Sequence, residues 1–184
     1  MPLQPGNIDA LLALMVVNGP IGTISWSRAE LHSATVLIQE LGFPVHYAFC
    51  THPRPRSEHL DFHLDHFERQ GLFKQIRDHQ YPSDPGRDVF CTSVSSPFKL
   101  STPFVTRVSL LRKENLEVIQ CAATFAIHRR TGHDSSETTN LMKHEKQYSA
   151  RHRAAAHDLF RRLGITQRKY SFLGIQDDAL VPAY

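Results

Sequence analysis

The chain has 184 residues, 41% of them apolar and 21% charged, with a net charge of +3, a globular composition that excludes a disordered or strongly acidic or basic chain. No run approaches the roughly 18 apolar residues of a membrane span, and Met1 to Gly6 lack the basic start and long apolar stretch of a secretory signal, so a cytoplasmic protein is expected. Cys50, Cys91 and Cys121 are far apart, odd in number and without CxxC spacing, and read as reduced thiols.

In chain order, Asn7 can cap a helix whose apolar residues are Ile8, Leu11, Leu12, Met15 and Val16, stopped by Asn18-Gly19-Pro20. Ser27 and Glu30 form a capping box, because hydroxyl and carboxylate can each satisfy an orphan amide. The helix they open buries Leu31, Ala34, Leu37, Ile38 and Leu41 and ends at Gly42, with Trp26 as a staple before the cap. Val45, Tyr47 and Phe49 alternate with His46, Ala48 and Cys50, predicting a short half-buried strand. Pro53 and Pro55 keep the next segment irregular. Ser57 then caps a helix with Leu60, Leu64 and Phe67 inside, closed by Gly71. Leu72 to Arg77 and Asp88 to Val94 are strand candidates joined by a loop with Pro82, Asp84, Pro85 and Gly86, a hairpin with an extended tip.

Helix, helix, short strand, helix and hairpin is the order of a winged helix. The expected fold is therefore mainly α (α+β), with a winged-helix-like domain over residues 1–96 and a small β-hairpin wing. A helical extension over 97–184 packs on it as one unit.

That extension begins after the Ser/Pro/Thr-rich connection Ser93 to Pro103. Thr102-Pro103 starts a helix with Val105, Val108 and Leu111 inward. Another runs from about Leu116, with Ile119, Ala123, Ala126 and Ile127 inward, to Gly132. After the polar loop Thr131 to Thr139, one helix carries Leu141, Met142 and Tyr148. A last one opens at Ser149 with Ala155, Ala156, Leu159, Phe160 and Leu163 and ends at Gly164.

Several constellations bear on chemistry, each with two readings. His59, His63 and His66, at i, i+4 and i+7 on one helix, have zinc-like spacing. They equally read as boundary residues beside the Leu60, Leu64, Phe67 stripe, and no fourth ligand is specified locally, so neither a metal nor a cofactor is assigned. Cys50 and His52 hint at a thiol and base, against the inert packing cysteine. Glycine-rich phosphate loops, GxSxG and HExxH are absent, so no catalytic residue is assigned. Asp61 and Asp65 read as a solvated helix face.

Arg54 and Arg56 flank the start of the helix capped by Ser57, either as an anion contact or as plain surface beside a cap. Residues 107–170 carry 13 Lys/Arg against 6 Asp/Glu, whereas 1–106 carry 8 against 10. The dense basic set is Arg129, Arg130, Lys143, Lys146, Arg151 and Arg153. It suits a nucleic acid or an acidic partner, or is a solvated surface. Arg28, Lys74, Arg77 and Arg87 lie where a winged helix would meet DNA. The helix from Ser57, however, carries Glu58, Asp61, Asp65 and Glu68 against Arg69, the wrong charge for entering a phosphate-lined groove.

The stretches VVNGPIG, SRAELHSATVLIQELGFPVHYAFCTHPRPRS and LDFHLDHFERQGLF resemble a bacterial winged-helix family related to the Panacea domain of SocA-type antitoxins. Leu31, Leu37, Ile38 and Gln39 stand in its second-helix stripe, Tyr47 and Phe49 in its aromatic strand, Ser57 at its turn serine and Gly71-Leu72 at its helix exit. Tyr148 to Ile165 is similar to its C-terminal helix. The turn departs from the family's Gly-Pro-aromatic-Ser, reading Arg54-Pro55-Arg56-Ser57, and the stripe lacks its lysine. The resemblance implies a non-enzymatic regulatory protein of antitoxin-like type that binds a protein partner, often a toxin. The alternatives are a DNA-binding regulator using the wing and the basic half, and a metal-dependent hydrolase around His59, His63 and His66.

Overall fold

The computed structural model describes residues 26–43, 45–51, 53–71, 73–76, 79–82, 102–132, 137, 140 and 148–165. The helices expected around Ile8 to Val16 and around Leu141 and Met142 lie outside them.

The described region is mainly helical. Strand β1 (Trp26–Ser27) leads directly into α1 (Arg28–Glu40), and α2 (Glu58–Arg69) is followed by β2 (Phe73–Ile76) and β3 (His79–Pro82). Helices α3 (Thr102–Arg112), α4 (Leu116–Arg130) and α5 (Ala150–Leu163) complete it. The strands form one antiparallel sheet of order β1-β3-β2, with Trp26 opposite Gln80 and Phe73 opposite Pro82. Its hairpin departs from expectation in one arm. Residues 79–82, read from sequence as loop because of Pro82, are the central strand. Proline is tolerated there because it closes the strand rather than interrupting it. The candidate Asp88 to Val94 lies outside the described residues.

The helix ends follow local chemistry. Ser27 and Glu30 make the full capping box, Ser27 Oγ accepting from the Glu30 amide at 3.2 Å. Ser57, Asn115 and Ser149 cap α2, α4 and α5 through their side-chain oxygens. At the far end of α5, Gly164 sits at φ 75° and the Ile165 amide reaches back to the Phe160 carbonyl at 3.0 Å. That left-handed closing turn is one a side chain would strain.

Between α1 and α2 the predicted strand is absent, although its alternation survives. Val45 and Tyr47 are buried while His46 and Ala48 are exposed, yet no strand pairs with them. Instead the Gln39 side chain takes the place of a neighbouring strand. Its Oε1 accepts from Tyr47 N and its Nε2 donates to Tyr47 O, both at 3.2 Å. A single antiparallel bridge nearby, among the described residues, joins Cys50 and Arg56.

The core runs through both halves of the chain. Buried residues from Trp26 and Leu31 to Phe160 and Leu163 form one cluster. Its axis is the packing of α1 on α4, with α5 against α4. Every residue of α4 from Val118 to His128 is buried, so this helix is enclosed rather than amphipathic. Alanines at 122, 123 and 126 permit that closeness. Arg112 lies 5.8 Å over the Trp26 ring, tying α3 to β1. No helix among the described residues is long and apolar enough to cross a membrane.

Candidate interaction surface and the polar joint beneath it

Helix α2 has two faces and a polar seam. Leu60, Leu64 and Phe67 point inward and are buried. Glu58, His59, Phe62, Asp65 and Arg69 are exposed. Phe62, at 52%, is the most exposed large apolar side chain among the described residues.

Along the seam, two i, i+4 pairs meet: Arg28 and His32 on α1, Asp61 and Asp65 on α2. Asp61 Oδ1 accepts from Arg28 Nη1 at 3.1 Å and from His32 Nε2 at 3.0 Å. Its Oδ2 accepts from Arg56 Nε at 2.8 Å. Arg28 also donates to Asp65 through Nη2. On the other side of the ring, His32 Nδ1 accepts the Ser57 backbone N–H at 3.1 Å. A backbone N–H can only donate, so the ring proton belongs on Nε2.

The electrostatics follow. Burial pushes the His32 imidazolium down and Asp61 pulls it up, while Arg56 and Arg28 push it down again, leaving it below the ordinary histidine value. For Asp61, burial pushes the carboxyl up, but hydrogen bonds from Arg56, His32 and Arg28 outweigh it and hold the group below the usual carboxylate range. Both nitrogens of His32 and both oxygens of Asp61 are thus committed to holding α1, the turn and α2 together.

The residues singled out from sequence fall in different places. Ser57 is buried, its hydroxyl accepting from the Leu60 amide and its own N–H occupied by His32. Arg56 is largely exposed but tied through Nε to Asp61, and Arg54 is exposed in the turn. Arg129 and Arg130 end α4, where Arg130 pairs with Glu40 of α1. Arg153 donates to the Tyr148 carbonyl at 2.7 Å, and Arg151 is exposed at the start of α5. Lys143 and Lys146 lie outside the described residues. Arg130 and Arg153 therefore hold the fold together, and Arg151 is left facing solvent.

Of the histidines, His63 is half-buried and shares a 2.8 Å hydrogen bond between Nδ1 and the Tyr47 hydroxyl, while His59 is exposed. Among the described residues no group of three or more His, Cys, Asp or Glu is arranged to hold a metal. Cys50 is exposed, and its thiol donates to the Arg56 carbonyl at 3.4 Å. Burial pushes the Cys121 thiol up to about 12, which keeps it protonated and unreactive. His52 and Cys91 lie outside the described residues.

Sequence reasoning passed over His32 and read Asp61 and Asp65 as solvated. The signal was there in the matched spacing, a cation and a histidine four apart on one helix facing two carboxylates four apart on the next. No family model matches the chain, and no curated protein or solved structure matches it either.

Proposed function

We propose that this chain is a non-enzymatic regulatory protein of antitoxin-like type, built on a winged-helix-like N-terminal half, that binds a protein partner through the outward face of α2. The sheet order β1-β3-β2, with α1 and α2 between β1 and the two later strands, supports the winged-helix reading. In such a fold α2 is the helix offered to a ligand.

The observation that carries the reading is what α2 offers. Phe62 projects between Glu58 and His59 on one side and Asp65 and His66 on the other, one turn away in each direction. A phosphate backbone would be repelled by those carboxylates. A protein surface with an apolar pocket rimmed by lysine or arginine would be satisfied by them. Aromatic anchors in desolvated pockets are where interface energy concentrates.

The test is recovery of partners from the native cell with the wild-type chain and with Phe62→Asp, each with and without nuclease. A stoichiometric protein that survives nuclease and is lost with F62D supports the reading. Recovery unaffected by F62D removes α2 as the contact. Partners that disappear with nuclease favour a DNA-binding regulator instead, a reading to which the exposed Arg151 on α5 contributes.

A further inference from the structure

The joint between α1 and α2 is built around a neutral histidine. The His32 side chain is only 4% exposed. Its Nε2–H donates to Asp61, and its Nδ1 lone pair receives the Ser57 N–H. A second proton has only Nδ1 to occupy, and there it would point straight at that N–H. Two donors cannot share one hydrogen bond.

The position of Ser57 makes this consequential, because it is the cap of α2. Its hydroxyl accepts the Leu60 amide and its carbonyl the Asp61 amide at 3.0 Å. Loss of the His32 contact therefore leaves the Ser57 N–H buried without a partner and loosens the residue that starts the helix. Among the described residues, the groups facing the ring are Arg28 on its own helix, Arg56 in the turn, Asp61 on α2, and the Phe49 ring edge-on at 6.4 Å. Asp61 favours a charged ring. Arg28, Arg56 and enclosure in the protein oppose it.

We propose that His32 is an acid-sensitive latch on α2: a proton on Nδ1 expels the Ser57 amide and opens the first turn of the helix while the α1–α4 core stays packed. Its effect on partner binding rests on the function proposed above; the latch itself does not.

The experiment follows imidazole nitrogen shifts and backbone amide exchange of the isotopically labelled wild-type chain between about pH 8 and about pH 5, with exchange corrected for its intrinsic pH dependence. At the upper end Nδ1 gives the signal of an unprotonated nitrogen and Nε2 that of a protonated one. As the ring titrates, protection of the Ser57 and Leu60 amides falls by about tenfold for each pH unit, while the amides of Ile119 to Ala126 keep theirs. His32→Gln, whose side chain does not titrate, loses the pH step. A neutral ring protonated on Nδ1 overturns the proposal, as does a ring that titrates with first-turn protection unchanged. An H32Q chain that retains the same pH step also overturns it. If H32Q does not fold, the wild-type titration decides alone. No partner enters the measurement, so failure of the latch leaves the proposed function standing, and absence of a partner leaves the latch standing.

Discussion

Arg130, the last residue of α4, donates through Nε to Glu40, the last residue of α1, and so closes the C-terminal ends of the two central helices on each other. The Glu40 side chain is only 7% exposed, whereas that of Arg130 is 38% exposed. The pair is thus a carboxylate set into the surface and covered by a guanidinium. Arg130→Ala removes that ion pair and its cover and should lower unfolding free energy by about 1 kcal/mol. Urea titration with an unchanged m-value checks this, and a variant as stable as the wild type would return Arg130 to the pool of free surface cations.

Asp61 carries more of the fold than its position on a hydrophilic helix face suggests. Asp61→Ala removes the acceptor shared by Arg28, His32 and Arg56. The expected loss is about 2–3 kcal/mol, and Asp61→Asn should lose less because it can still accept from His32. The two midpoints in urea, compared side by side, measure the share due to charge.

Global stability should fall with acid in two stages. His32 is held below its ordinary value in the folded chain, mainly by burial, so below about pH 6.5 the unfolded chain binds a proton that the folded one refuses. The contribution is therefore complete above that pH and is lost as pH falls through the folded value. Asp61, held low by its three donors despite burial, adds a second loss below about pH 4. Urea midpoints between about pH 8 and about pH 3 check both stages. A flat profile between about pH 7 and about pH 5 would contradict the first.

Two phenylalanines should separate packing from surface. Phe125, fully buried in α4, costs about 3–5 kcal/mol on replacement by alanine. Phe62→Ala on the outer face of α2 should change stability by no more than about 0.5 kcal/mol. Thermal or urea unfolding distinguishes them at once, and a large loss for F62A would mean that the ring packs rather than waits.

Helix positions were legible because their signals are local. Ser27 with Glu30, Ser57 and Ser149 mark starts through side-chain oxygens within reach of their own amides, and Gly42, Gly71, Gly132 and Gly164 stop helices at positive φ. The enclosure of α4 was not legible. Gln120, Thr124 and His128 look like a polar face, and only tertiary packing shows that all three are buried. The missing strand at Val45 to Phe49 has a similar origin, since alternation reports burial and not pairing, and Gln39 satisfies the backbone that a strand would have. The polar joint escaped notice because charge patterns along one helix do not reveal the partner helix.

The pairing of α1 with α4 also has a consequence for how the protein is made. At about 5–20 residues per second, the ribosome finishes α1 roughly 4–16 seconds before Val118 to His128 are synthesised. Until then α1 has no α4 to pack against, and apolar side chains that the finished protein buries, Leu31, Val36, Leu37 and Ile38 among them, lack that cover. A chain stalled or truncated before α4 would be a client for chaperones and proteases rather than a smaller working protein.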